Sequence, residues 1–458
     1  MIKRRVALMS LAGLPLFLRG FESASAASKD AEVIGSPLRG SLDAGKHGLL
    51  PQASGNQSRK LQSIIDKASA AGVPVFLPPG AYRVSNITLP AGAHLTGVPG
   101  ASRLIYSGEG FLLAADEAAA ITLSNLSIDG VNGWMEGENA ALIHLRGVRD
   151  VVIDNCAVAG ARGSAIVLER CGGRIERSHL SGATQYGLYA VESRGLSIVG
   201  NTVADCGNGG LLVHRWTKGT DGTLISGNRI ERIRATAGGT GQNGNGINLF
   251  RADSVSVTSN HISDCAFSAI RANASSNAII SGNHCLNVGE TSIYAEFGFE
   301  GAVISANIVD GAANGIAVVN LNEGGRISTV SGNVVRNLSS VGPYPAENAG
   351  FGIGISVEGD AAISGNMIEN CANWAMQLGW GPYLRNVSVT GNVIRKAPVG
   401  IAVSVAEGAG ATLIANNLLS ETAQGAILGF RWKDKATGEL ANGPSGFQHL
   451  SISGNRTD

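Results

Sequence analysis

The sequence has no excess of charge of either sign: 35 Lys and Arg are matched by 35 Asp and Glu over 458 residues. A nucleic-acid partner requires a basic face to neutralise phosphates, so the composition gives that class no support. Aromatic residues make up only 5% of the chain. Beyond the first 26 residues no apolar run is long enough to span a bilayer as a helix. The six cysteines form no pair with the spacing of a zinc site. Glycine, in contrast, is plentiful at 64 residues, about twice the usual share. It has no three-residue period, which excludes a collagen-like chain, and Val, Ile and Leu are too frequent for disorder.

The first 26 residues stand apart. "MIKRR" is a positive start, "VALMSLAGLPLFL" a short apolar run, and Ala24-Ser25-Ala26 a cleavage pattern, which together predict an export signal (1–26). The pair Arg4-Arg5, followed by Val6, Ala7 and Leu8, resembles a twin-arginine signal. An ordinary secretory signal with a basic start is the alternative, since Ala7 replaces the preferred aromatic and Arg19 interrupts the apolar stretch. Either signal places the mature chain outside the cytoplasm, periplasmic or secreted. Export machinery is then one expected partner.

A short phrase recurs: "LISGNRI" at 224–230, "IISGNHC" from 279, "TVSGNVV" from 329, "AISGNMI" from 362 and "SVTGNVI" from 388. Aligning it gives a column of Asn155, Ser178, Asn201, Asn228, Asn260, Asn283, Asn307, Asn333, Asn366, Asn392 and Asn416, with Asn125 upstream and Asn455 downstream. The basal interval is 23 residues, and excess length is confined to certain repeats. That pattern means stacked coils with loops inserted in a few. Each unit also holds a G-I-x-V strand, such as "GLLVHR" (210–215), "GINLFR" (246–251) and "GIAVVN" (315–320), with the strict alternation of a half-buried strand. Units this short leave no room for a helix. The prediction is an all-β, right-handed parallel β-helix over 73–458. A leucine-rich repeat would need more leucine and a helix, and a propeller a longer period.

The recurrent asparagine is placed at a bend, in left-handed geometry, with its amide bonded to the coils above and below, and glycine before it relieving crowding. Cys206, Cys265 and Cys371 each follow a repeat asparagine by five residues without occupying adjacent coils, so buried thiols are expected instead of disulfides. Residues 27–55 read as a linker. Residues 56–72 ("NQSRKLQSIIDKASAAG") read as an amphipathic helix with Leu61, Ile64, Ile65 and Ala68 on one face, plugging the open end of the solenoid.

The cap helix, "LPPGAYRV" and "LTGVPGASRLI" resemble the opening coils of pectate-lyase-like β-helix proteins. With Arg4-Arg5 and the later coils added, the chain resembles twin-arginine-translocated β-helix repeat proteins. That family is defined by signal and repeats, so the resemblance implies a fold and, for function, only a carbohydrate-active neighbourhood.

In each G-I-x-V strand the Ile and Val point inward, so x and the residue after Val point outward. This puts Asn248, Arg271 and Tyr294 in one column and Phe250, Asn273 and Glu296 in the next, with Tyr189 and His214 on preceding coils. Arg215, Trp216 and Arg251 adjoin them. Insertions at 216–222 and 235–246 are expected to wall this surface, the glycine-rich 238–246 as a mobile loop. Two further loops are read at 339–350 and, covering the last coils, at 434–446.

A glycosidase needs two suitably spaced carboxylates, and the stripe offers Glu296 with no second acid in the adjoining coils. β-Elimination on a uronate, or epimerisation, needs a cation on the sugar carboxylate and a base for the neighbouring proton. Arg271 suits the first role and His214 or Tyr294 the second, with Tyr189, Arg215, Trp216, Asn248, Arg251, Asn273 and Glu296 as substrate contacts. On this reading Arg271→Lys weakens an acidic glycan and spares the fold. No cluster suggests a metal, calcium included, or a prosthetic group. Two classes stay open: an exported uronate lyase or epimerase, and a non-catalytic carbohydrate-binding or structural envelope protein.

Overall fold

The computed structural model describes residues 40–458, apart from 136, 138, 139, 240, 320–323, 444 and 445. The export signal, with Arg4 and Arg5, lies outside the described residues. The chain winds as a parallel β-solenoid, in which each coil contributes three short strands. A representative coil runs Ser256–Thr258, His261–Cys265 and Ile270–Asn273, and the next coil begins at Ala278–Ser281. The first strands of successive coils form a 16-stranded sheet, and the second and third strands form the two faces of a 28-stranded one. Register is kept coil by coil: Ser256 lies opposite Ile279, His261 opposite His284, and Ile270 opposite Ile293. The inward residues of the coil strands are predominantly apolar, and these side chains merge into one continuous core. Each fully buried Ile or Leu in it contributes roughly 1.5–3 kcal/mol.

Helix α1 (Ser58–Ala70) closes the N-terminal end. Leu61, Ile64, Ile65 and Ala68 are its buried residues, the stripe that the 3.6-residue period selects. Gly72, at φ +66°, ends it in the left-handed conformation that glycine adopts without strain. The stretch read as a linker already belongs to the solenoid at its C-terminal half: Leu42–Asp43 pair with Val75–Phe76, and Ala44 and Leu49 are buried. At the other end Asp434–Glu439 turns back antiparallel on Leu418–Arg431, and Glu439 accepts the amide protons of Ala426 and Ile427. The stretch 434–439 of that insertion thus covers an edge strand that would otherwise invite pairing.

The asparagine column is a hydrogen-bonded ladder. The Nδ2 of Asn201 donates to Asn228 Oδ1 at 3.0 Å, and the pattern continues through Asn260, Asn283, Asn307, Asn333, Asn366, Asn392, Asn417 and Asn455. The second Nδ2 proton goes to a backbone carbonyl of the preceding coil, as from Asn283 to Val257 O at 2.9 Å. Two features differ from the sequence reading. The left-handed residue is the one before the ladder asparagine: Gly227, Gly282, Gly332, Gly365 and Gly391 all have φ near +65°. Asn125, Asn155 and Asn416 occupy that preceding place, at φ +58°, +51° and +57°. The ladder positions beside the last two are Cys156, whose amide donates to Ser178 Oγ, and Asn417.

All six cysteines are buried and free. Burial pushes their thiols up, to about 11 at Cys156 and Cys171 and about 12 at Cys206, Cys285 and Cys371, so they carry little thiolate and pack as small apolar groups. No helix among the described residues is long and apolar enough to cross a membrane.

Candidate functional site

The outward columns lie as their register requires. Leu212, Asn248, Arg271 and Tyr294 stand side by side, as do His214, Phe250, Asn273 and Glu296. Adjacent strands are about 4.8 Å apart, so each step brings neighbouring side chains into contact. What they do with that contact divides the stripe into three parts.

The first part is a groove of about 820 Å³. Tyr189, His214, Asn248, Phe250 and Asn273 line it, together with Trp134, Arg162, Gln185, Tyr186 and Gln242. The His214 ring sits edge-on between Tyr189 (5.3 Å between centroids) and Phe250 (5.6 Å), and Tyr186 continues the row 5.7 Å beyond Tyr189. Across the groove the Arg162 guanidinium lies over the exposed Trp134 ring at 5.0 Å. The half-buried His214 shares a 2.7 Å hydrogen bond between its Nε2 and Asn248 Oδ1. Burial holds its pKa down at about 4, only partly offset by that bond, so the imidazole is neutral at neutral pH. Burial likewise raises the Tyr189 and Tyr186 phenols. Among the described lining residues Arg162 is the only full charge.

The walls are insertions. The described residues on either side of 240 are tied down: Ala237 N donates to Asn208 Oδ1 at 2.7 Å, and Gly244 N to Asn208 O at 2.6 Å. Gly239 and Gly244 lie on the Phe267 ring, where a Cβ would fall 1.5 Å and 2.5 Å from ring carbons. Only glycine permits that approach. The loop 339–350 uses the same ring, with Tyr344 stacked on Phe267 at 6.4 Å. The glycine-rich loop expected to be mobile therefore has a specific seat.

The second part is a buried strut. Arg271 donates from Nε to Glu296 Oε1 (2.5 Å) and from Nη2 to Glu296 Oε2 (3.0 Å), with Nη1 3.8 Å from Glu290 Oε2. Arg271 is 7% exposed, Glu296 1% and Glu290 3%. Burial alone would lower the Arg271 pKa; the bonds to Glu296 reverse that and raise it. Asn273 Nδ2 adds a bond to Glu296 Oε1 at 2.9 Å, and Tyr344 holds Glu290 Oε1 at 2.6 Å. The sequence reading saw no second acid near Glu296; Glu290, at the turn before the same strand, is that acid. The guanidinium placed on a substrate carboxylate is occupied by the protein's own carboxylates, and Glu296 is turned to it instead of the groove.

The remaining expected residues are also engaged. Arg215 is buried against Glu192 at 2.8 Å, and Arg251 donates to Trp216 O at 2.8 Å with its guanidinium over Phe250. Neither arginine nor the exposed Trp216 lines the groove. Tyr294, its phenol pushed up by burial, faces the third part, a smaller hollow toward the C-terminus. The structure thus brings Tyr189, His214, Asn248 and Asn273 together in the groove and leaves Arg271, Glu296 and Tyr294 outside its lining, with Asn273 bonded to Glu296 at the boundary. Trp134, Arg162 and Tyr186 were missed because they precede the outward strand positions. The surplus length between Asn125 and Asn155, which contains Trp134, was the available signal. Among the described residues no group of three or more His, Cys, Asp or Glu is placed to hold a metal ion.

The right-handed β-helix region family model matches residues 109–241 and 164–345, together more than half of the chain. No curated protein matches the sequence at a significant level. Among solved structures, pre-mature gene product 12 of bacteriophage phi29 is 12% identical, with a TM-score of 0.52 over 90% of this chain and 58% of that one. The A-module of a mannuronan C-5 epimerase of Azotobacter vinelandii is 15% identical, with a TM-score of 0.49 over 91% of this chain and 99% of that one. The catalytic unit of an α-1,3-glucanase of Streptomyces thermodiastaticus is 16% identical, with a TM-score of 0.43 over 95% of this chain and 71% of that one. At such identities the likeness is one of fold. Matched over more than half its length, and wound coil on coil in parallel register, this chain belongs to the right-handed β-helix family.

Proposed function

We propose that this protein engages a polysaccharide chain along the groove between Trp134 and Asn273, outside the cytoplasm, as the export signal expected in residues 1–26 requires. The observation that carries the reading is the lining: a row of aromatic faces (Tyr186, Tyr189, Phe250), amides at Gln185, Gln242, Asn248 and Asn273, and one guanidinium. Pyranose rings present apolar faces and equatorial hydroxyls, which aromatic rings and amides match. That several fold neighbours are named for polysaccharide chemistry agrees with it, as analogy.

The finer reading is a uronate lyase or epimerase. Arg162, and not Arg271, is then the cation that meets the sugar carboxylate, with His214 or Tyr189 nearest the α-proton. A second reading, binding without turnover, is favoured by one observation: His214 is neutral but only weakly basic, with a pKa of about 4, and the Tyr189 phenol is raised. Neither is tuned to take a proton near neutral pH.

Calorimetry with a panel of polyuronates and neutral glycans, with ultraviolet detection of unsaturated uronate and NMR of the product sugars, separates these readings. Tyr189→Ala should weaken binding of the preferred glycan about tenfold, the upper value of a stacked ring pair. Arg162→Met should weaken uronates and leave neutral glycans unchanged. Binding with no new absorbance or epimer supports the non-catalytic reading. No saccharide binding, or binding indifferent to both variants, overturns the groove.

A further inference from the structure

The outward column that carries Tyr294 continues as Ala317, Ser356 and Gln377 on the next three coils. Large side chains thus give way to two small ones, and a hollow of about 350 Å³ opens over Ala317 and Ser356. Tyr294 stands at one end and Gln377 and Trp380 at the other. Three coil steps separate Tyr294 from Gln377, about 14 Å, room for a disaccharide. Tyr344 reaches the hollow from the loop 339–350, anchored by its bond to Glu290. None of its lining residues is shared with the groove, and the Arg271 strut stands between the two.

Its charge is opposite to that of the groove. Glu347 and Glu358 line the hollow, and among the described lining residues there is no Lys, Arg or His. The strut beside it adds two carboxylates against one guanidinium. A uronate entering here meets like charge, whereas an ammonium group meets carboxylates and the electron-rich faces of Tyr and Trp rings.

We infer that this hollow is a second saccharide site, which takes a sugar ring bearing an ammonium group. Recognition rests on the aromatic ends Tyr294 and Trp380, hydrogen bonding by Gln377 and Ser356, and charge from Glu347 and Glu358. The inference is independent of what the first groove binds.

Titration calorimetry with a glucosamine oligosaccharide at mildly acidic pH, where its amines are protonated, tests it against the N-acetylated oligomer of equal length. The glucosamine oligomer should bind, and the N-acetylated one about tenfold more weakly, the size of an exposed cation–π contact with an ion pair. Trp380→Ala should reduce glucosamine binding about tenfold, and Glu358→Gln, which removes one ion pair, several-fold. Glu347→Gln, on the exposed loop where folding is not at stake, should reduce it several-fold. Tyr189→Ala, in the first groove, should leave it unchanged. Equal binding of the acetylated oligomer, absence of glucosamine binding, or sensitivity to Tyr189→Ala without sensitivity to Trp380→Ala would each overturn the inference.

Discussion

Arg271→Ala removes a cation whose two carboxylate partners are fixed by the protein. Two charge-assisted bonds to Glu296, at 2.5 and 3.0 Å, are lost, along with the approach of Nη1 to Glu290 at 3.8 Å. Glu296 and Glu290, at 1% and 3% exposure, would be left as buried carboxylates without their counter-ion. Breaking a buried pair from one side costs about 3–5 kcal/mol, because the remaining charge stays desolvated. Lysine restores the charge but not the fork, so Arg271→Lys should cost about 1–3 kcal/mol. The lysine variant that the sequence reading expected to spare the fold is therefore expected to weaken it. Urea unfolding followed by circular dichroism gives the free energies by linear extrapolation. The decisive comparison is the double variant Arg271→Met with Glu296→Gln, which leaves no uncompensated charge at the pair and should be more stable than Arg271→Ala alone. If Arg271→Ala unfolds within about 1 kcal/mol of the parent, as an exposed cation would, and its effect adds to that of Glu296→Gln, the strut is not one.

Two other measurements test separate parts of the molecule. Asn283→Ala removes the bonds to Val257 O and Asn307 Oδ1 and strands the buried amide of Asn260, so it should cost about 3 kcal/mol or more, while Asn155→Ala, at an exposed turn with φ +51°, should cost only the left-handed backbone penalty of about 1–2 kcal/mol; equal losses in urea unfolding would refute the ladder assignment. His214 has a folded pKa of about 4 against 6.5 for a free imidazole, so the unfolded chain takes up its proton first on acidification. Its contribution is present above pH 6.5 and is lost as pH falls through 4, by at most about 3 kcal/mol; His214→Phe should remove this part of the pH dependence, and an unchanged profile would contradict the buried neutral imidazole.

The solenoid and its outward columns were legible because both are fixed by period alone. A strand with one buried face must alternate, and a repeat near 23 residues places equivalent residues on adjacent coils. The same logic failed by one position where residue identity was trusted over strand spacing. In "IDNCAV" and "IANNLL" the inward residue two places after the ladder site, Val158 or Leu419, points to Cys156 and Asn417. The function-bearing surface was less legible. Parity tells which face a long side chain leaves from, but not where its end lies, so Arg271 read as an available cation when it lies against Glu296. Glu290, Trp134, Arg162 and Tyr186 sit on or beside turns, whose conformation depends on tertiary contacts such as those of Phe267, and no period marks them.

The asparagine ladder separates what specifies the architecture from what can be varied upon it. Successive rungs from Asn201 to Asn417 are between 23 and 33 residues apart, yet every Nδ2–Oδ1 bond is 2.9–3.0 Å long. Surplus residues leave the coil at other corners and return without disturbing the rung. The corner that carries the amides therefore acts as a fixed spine, and the opposite corners as sockets into which loops of different length and chemistry can be grafted. A lineage could exchange the walls of the groove or the hollow, and with them the ligand, at almost no cost to the core. By the same token, closely similar coils need not imply a shared substrate: kinship in the spine says little about the loops it carries.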